Sequence, residues 1–167
     1  MVYFIIGIIL FAADFVTKYL TVNSFELYES ITVIDGILDF TRYHNTGGPW
    51  SLFDNFSFIF VIATIAIFVG EFFFFKKHPL THPVSKLSAA LINAGALGNY
   101  VDRIFRGYVV DMIKVTFIDY PVFNFADCCI VAGCILMCIY VLFIDSSTKD
   151  NPPECKEKEN GKDNSRL

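Results

Sequence analysis

The chain has 167 residues, a formal charge of −4 and a composition that is 54% hydrophobic, 17% aromatic and only 18% charged. A soluble domain carries about 25% charged residues, and many of the charges here fall after Ile144, so the remaining body is more apolar still. This is one domain's worth of integral membrane protein, and its small negative charge carries no argument for nucleic acid.

The first apolar stretch, residues 2–20, is long enough for a membrane helix, which needs roughly 20 residues. It lacks the basic start and small-residue cleavage site of a signal peptide. Asp14 and Lys18 lie four positions apart on one helical face, either as an ion pair at the membrane surface or in support of a site. Residues 21–55 form a polar connection. Its β-rich runs at 30–34 and 37–43 flank Asp35-Gly36, a two-residue hairpin signal, and predict a small sheet on the membrane surface. HNTGGPWSLF (residues 44–53) must turn sharply at Gly47-Gly48-Pro49, and Trp50 suits the interfacial aromatic belt.

The second span is predicted at 56–75, where Glu71 lies close enough to the end to snorkel. A basic loop, KKHPLTHPVSK, leads to a third span at 84–105. That span is interrupted by Asn93, Asn99, Asp102 and Arg103, and Gly95, Ala96 and Gly98 give it a face for close helix contact. Residues 106–122 read as a second outer loop and 123–144 as the fourth span. The predicted fold is thus all-α, four transmembrane helices in a membrane domain of residues 1–147 with a small extracytoplasmic β-hairpin. A charged tail at 148–167 should be disordered.

Cysteine and histidine add no metal or cofactor site. The five cysteines (Cys128, Cys129, Cys134, Cys138 and Cys155) have no disulfide or zinc spacing and suit small apolar packing. His78 and His82 share helical spacing, but Pro79 and Pro83 interrupt the helix.

Orientation follows from basic residues in the loops. Lys76, Lys77 and Lys86 mark one loop and the tail is rich in lysine. The 21–55 connection has Arg42 against Glu26, Glu29, Asp35, Asp39 and Asp54. Both termini are therefore expected in the cytoplasm, which brings the hairpin, Asp111 and Asp127 to the outer face.

Polar groups at membrane depth are costly and usually functional. Two carboxylates held together share a proton, since repulsion and low dielectric raise one pKa. One can then activate water while the other protonates a carbonyl oxygen, which suits metal-free peptide hydrolysis. Asp111 and Asp127 flank a loop between adjacent spans and form the leading pair. Asp102 and Asp119 compete with them. Arg103 follows Asp102 directly, which points to a structural ion pair, and Asp119 sits in a loop beside Tyr120-Pro121, where it would be solvated.

Four pieces in order, DFVTK (14–18), NTGGPWS (45–51), GALGNYVDRIFRGYVVDMI (95–113) and FNFAD (123–127), resemble lipoprotein signal peptidase, the bacterial signal peptidase II. The third is long and specific, and the resemblance runs from the first span to the fourth. It implies an intramembrane aspartic endopeptidase of the bacterial cytoplasmic membrane, for which no cofactor is expected; a monomer is the expected state, which no motif in the sequence sets. Its partners would be membrane lipid and prolipoproteins, cut just before a diacylglyceryl-modified cysteine. On this resemblance Asp111 and Asp127 take the catalytic places. Asn99, Arg103 and Asn124 line and orient the site, Asn45 lies near substrate, and Asp14 and Lys18 support it. The family usually shows Asn-x-Gly-Ala-Ala-Phe where this chain has Asn45-Thr46-Gly47-Gly48-Pro49-Trp50. The change alters backbone options and removes no group the chemistry needs.

Two other classes use the same features. An ion-coupled transporter would need acids across the bilayer, whereas these cluster at one face. A membrane scaffold docking a partner on the glycine face leaves the asparagine and arginine company of both aspartates unexplained.

Overall fold

The computed structural model of the protein describes residues 1–48 and 56–145. Pro49, Trp50, most of the turn through Phe53 and the tail with Cys155 lie outside the described residues. Four helices and three strands follow in order: α1 (Val2–Ser24), β1 (Ser30–Ile34), β2 (Leu38–Asn45), α2 (Ser57–Lys77), α3 (Pro83–Arg106), β3 (Val109–Val115) and α4 (Phe125–Ile139). A π-helical segment, Tyr140–Asp145, continues α4. α1, α2 and α4 with its continuation are long and apolar enough to cross a membrane. α3 is as long, and its polar residues keep it out of that group.

Those polar residues point inward. The buried stripe of α3 contains Ser85, Ser88, Ala89, Ala94, Gly95, Gly98, Asn99 and Asp102, small and polar side chains that let backbones approach closely. A Cβ on Gly95 would collide with the Ala126 carbonyl oxygen, and one on Gly98 with the Asp14 carboxylate. Lower down, a Cβ on Gly133 would stand 2.7 Å from Ile92 Cγ1, and the Ser88 hydroxyl donates to the Gly133 carbonyl at 2.7 Å. α1, α3 and α4 are thereby locked together, while α2 buries no residue. Of the cysteines in α4, Cys129 is buried, but Cys128, Cys134 and Cys138 are exposed on its outer surface. Small-residue packing therefore describes the first alone.

α3 starts where Pro83 meets the predicted break. Pro83 occupies the first helical turn, where a missing N–H is harmless, and the His82 ring accepts from the Val84 N–H at 3.2 Å. At the other end Gly107, at φ 80°, closes the helix in the left-handed conformation that favours glycine.

The sheet is antiparallel in the order β1–β2–β3. The hairpin forms, but its loop has three residues rather than two. Ile34 pairs with Leu38, Gly36 takes φ 68°, and the Ile37 N–H bonds the Ile34 carbonyl at 3.0 Å, which takes Ile37 out of the strand. The second outer loop needs a larger correction, because residues 109–115 are a strand. VVDMIKV is β-rich but short, and it becomes a strand by adding to the open edge of β2. That pairing sets Tyr43 opposite Asp111 and Asn45 opposite Val109. Arg42 on β2 ties the sheet to α1, its guanidinium donating to the Val22 and Phe25 carbonyls at 3.1 Å each, where α1 runs out of internal partners.

Candidate active site

The first turn of α4 is built to hold Asp127. Asn124 caps the helix, its side-chain oxygen accepting from the Asp127 N–H at 3.0 Å while Asp127 Oδ2 accepts from the Asn124 N–H at 3.1 Å. This reciprocal capping box fixes the carboxylate's direction. The neighbouring Ala126 N–H, otherwise an orphan of the helix start, donates to Asp14 Oδ1 at 2.9 Å.

Asp111 arrives from β3 and is 1% exposed. Asn45 Nδ2 donates to its Oδ2 at 2.9 Å and Asn124 Nδ2 to its Oδ1 at 2.6 Å. The same Asn124 amide donates to Asn99 Oδ1 at 3.1 Å, and Asn99 Nδ2 donates to Asp127 Oδ1 at 2.8 Å. The two carboxylates are therefore joined through two asparagine amides. Burial raises the Asp111 pKa to about 7, with the charge of Asp127 adding to the rise and the two amides and Lys18 opposing it.

The orientation of this network is set from α1. Lys18 Nζ donates to Asn99 Oδ1 at 2.9 Å. An ammonium has no acceptor, so it fixes the Asn99 oxygen toward itself and leaves Nδ2 facing Asp127. Lys18 is 2% exposed and lies 2.8 Å from Asp14 and 3.2 Å from Asp102. The Asp14–Lys18 pair is thus buried within the bundle, in contact with the site network.

Asp102 also differs from expectation. Its ion-pair partners are Lys18 and Arg106, the latter at 3.0 Å, rather than Arg103. On a helix, positions three and four apart are neighbours and adjacent ones are not. Asp102 Oδ2 further accepts from the Val110 N–H at 3.2 Å, anchoring the residue before Asp111. Its contribution was missed, although its four-residue spacing to Arg106 was legible. Asp119 is exposed in the loop before α4.

Arg103 reaches the other way. Its Nη2 donates to the Gly47 carbonyl at 3.2 Å, its Nη1 to the Asn99 carbonyl at 3.4 Å, and its guanidinium lies 4.8 Å over the Phe60 ring. Its Nε is buried with no hydrogen-bond partner among the described residues. Arg103, Asn45, Asn99, Asp111, Asn124 and Asp127 all line one cavity of about 270 Å³, with Phe60, Val109 and Ile130 as apolar walls. An adjoining cavity of about 500 Å³ shares Asp127, Tyr120, Phe123 and Val131 with it and continues along α4 over Cys128 and Ile135.

This geometry can be set beside known proteins. A family described as signal peptidase (SPase) II matches residues 6–143. The chain belongs to the signal peptidase II family. A lipoprotein signal peptidase of Bacillus velezensis is 36% identical over 152 residues, spanning 90% of this chain and 99% of that protein. A bacterial membrane enzyme solved by the in meso method at 2.3 Å resolution superposes with a TM-score of 0.82 at 31% identity, covering 93% of this chain and 94% of its own. A second, at 1.9 Å resolution, gives 0.77 at 32% identity, covering 86% and 94%. Family membership makes this chain a membrane peptidase, and it fits an aspartic mechanism.

Proposed function

We propose that the protein removes signal peptides from diacylglyceryl-modified prolipoproteins, cutting just before the modified cysteine, with Asp111 and Asp127 as the catalytic dyad. The observation that carries this reading is the linkage of both carboxylates through Asn124 and Asn99 on one cavity wall.

The two aspartates are unequal, which suggests their roles. Asp111 is the more deeply buried and is pushed up to about 7, so it holds the shared proton at neutral pH. Asp127, partly exposed and steadied by two N–H donors, is the base. Asp127 takes a proton from water, and the resulting hydroxide attacks the scissile carbonyl carbon as Asp111 passes its proton to the carbonyl oxygen. Collapse of the tetrahedral intermediate breaks the C–N bond. The proton held by Asp127 goes to the leaving amine, and the intermediate returns a proton to Asp111. Asn45, Asn99 and Asn124 position the dyad, Arg103 offers its Nε to a substrate carbonyl, and Asp14 and Lys18 hold Asn99.

The membrane placement belongs to the same reading. α3 crosses the membrane as the third of four spans, with its polar stripe satisfied inside the bundle as lipid requires. The sheet and the dyad lie at the outer face of the bacterial cytoplasmic membrane, with both termini inside. Residues 1–147 form the peptidase domain, residues 148–167 are a dispensable cytoplasmic tail, and the enzyme works as a monomer. Substrate enters laterally from the bilayer, and the apolar cavity beside Asp127 suits its acyl chains.

The test is cleavage by purified protein of a prolipoprotein peptide with and without the diacylglyceryl group, the products mapped by mass spectrometry. Cleavage before the modified cysteine, at least about tenfold faster with the lipid, is expected. Equal rates, or a cut elsewhere, would remove the lipid from the reading.

A further inference from the structure

At the ends of the helices away from the dyad, α1, α2 and α3 line an open groove of about 520 Å³, within the usual range of ligand pockets. Phe4, Ile8 and Phe11 of α1, Phe75 of α2, and Ala90 and Leu97 of α3 make its walls apolar. Gly7 opens it, since a Cβ there would meet nothing nearer than the Ala90 carbonyl oxygen at 3.8 Å. Besides Tyr3, two polar residues interrupt the apolar lining. Asn93 is engaged with Glu71, and Lys86 sits in the first turns of α3.

Of the charged residues on α1, α2 and α3, those nearest this end are basic. Lys76 and Lys77 close α2 immediately after Phe75, and both are exposed. The nearest acid on the three helices, Glu71, lies more than a turn inward and is occupied by Asn93. The start of α3 adds its positive dipole to the same end. An apolar slot lined by Lys86, with Lys76 and Lys77 next to Phe75, matches a molecule with a hydrocarbon chain and a phosphate of net negative charge.

We infer that this groove binds an anionic phospholipid of the bilayer, with an acyl chain between α1 and α3 and the phosphate on Lys86, flanked by Lys76 and Lys77. The lipid fills the wedge that α2 leaves open, and so fastens the one helix that buries nothing of its own. The inference is independent of the dyad assignment.

The probes are dioleoyl phosphatidylglycerol, dioleoyl phosphatidylcholine and glycerol phosphate, added to the purified full chain in detergent. Binding is read by native mass spectrometry and by thermal shift. Phosphatidylglycerol should bind and raise Tm, phosphatidylcholine should bind at least about fivefold more weakly, as expected for a lysine near a lipid phosphate, and glycerol phosphate should do neither. Lys86→Gln should erase about fivefold of the phosphatidylglycerol affinity and little for phosphatidylcholine. Ala90→Phe, or Gly7→Leu from the opposite wall if the first fails to fold, should lower retention of both lipids while peptidase activity stays within about twofold. Equal binding of the two lipids would overturn the inference. So would an unchanged preference in Lys86→Gln, or glycerol phosphate competing as well as the lipid, which would make the site one for a free anion.

Discussion

α2 and α3 are similar in length, 21 and 24 residues, yet they play opposite parts. α2 is apolar from Phe58 to Gly70 apart from Thr64 and has no fully buried residue. α3 carries two asparagines, an aspartate, two arginines and a lysine, and buries a whole stripe against α1 and α4. In water the more apolar helix would be expected in the core. In lipid, apolar surface gains nothing by leaving its surroundings, so small and polar residues drive association. The polar helix is the core, and its Asn99 and Arg103 line the candidate site.

The strongest way to break this contrast is at Gly95. Gly95→Leu places side-chain atoms against the Ala126 carbonyl oxygen, backbone that cannot yield, and against the Ile130 side chain, and should cost about 3 kcal/mol. Thermal unfolding in detergent should show a protein that is unfolded or lowered sharply in Tm. A folded, fully active variant would mean that α3 and α4 are not packed as described.

Next comes Asn124→Ala, which removes the helix cap, worth about 1 kcal/mol, together with the amide joining the dyad. Displacement of a catalytic group by about 1 Å costs roughly 10²-fold, so kcat should fall by about that factor with KM little changed.

Lys18→Met removes the ion-pair partner of Asp14 and leaves Asp102 with Arg106, and should destabilise the fold by about 3–5 kcal/mol. Adding Asp102→Asn should recover part of that loss. Because Lys18 holds the Asp111 pKa down, the alkaline limb of the pH–rate profile should move upward in the double variant. A merely structural role for Lys18 would leave that limb where it was.

In the unmodified enzyme the same limb should begin near pH 7, with the rate falling as Asp111 loses its proton. The sign for stability agrees. Asp111 titrates higher folded than its ordinary value of 3.8, so its contribution is fully present below that value and is lost as pH rises through about 7. The smallest effect belongs to the outer surface of α2. Phe72→Ala and Ile62→Ala, at 66% and 61% exposure, should change stability by no more than about 0.5 kcal/mol and leave kcat within about twofold.

Much of this was legible because lipid makes polar residues conspicuous. Asp111, Asp127, Asn99, Asn124 and Arg103 stood out by type, and the hairpin by Asp35-Gly36 between β-rich runs. What stayed hidden depended on partners far away in the chain. β3 needs the edge of β2 before VVDMIKV extends, so it read as loop. Asp102 was paired by adjacency with Arg103, whereas helix geometry turned it toward Lys18 and Arg106. The depth of the Asp14–Lys18 pair depends on the hollow left by Gly98, which spacing within α1 cannot reveal.

The most direct test of the dyad is the rate at which purified Asp111→Asn and Asp127→Asn each cleave a diacylglyceryl-modified prolipoprotein, with folding checked by thermal unfolding. Both amides preserve shape but cannot exchange the proton, so each variant should be folded and slower by about 10²–10⁴-fold or more. Near-full activity in either folded variant would contradict the assignment and move the search to Asp102.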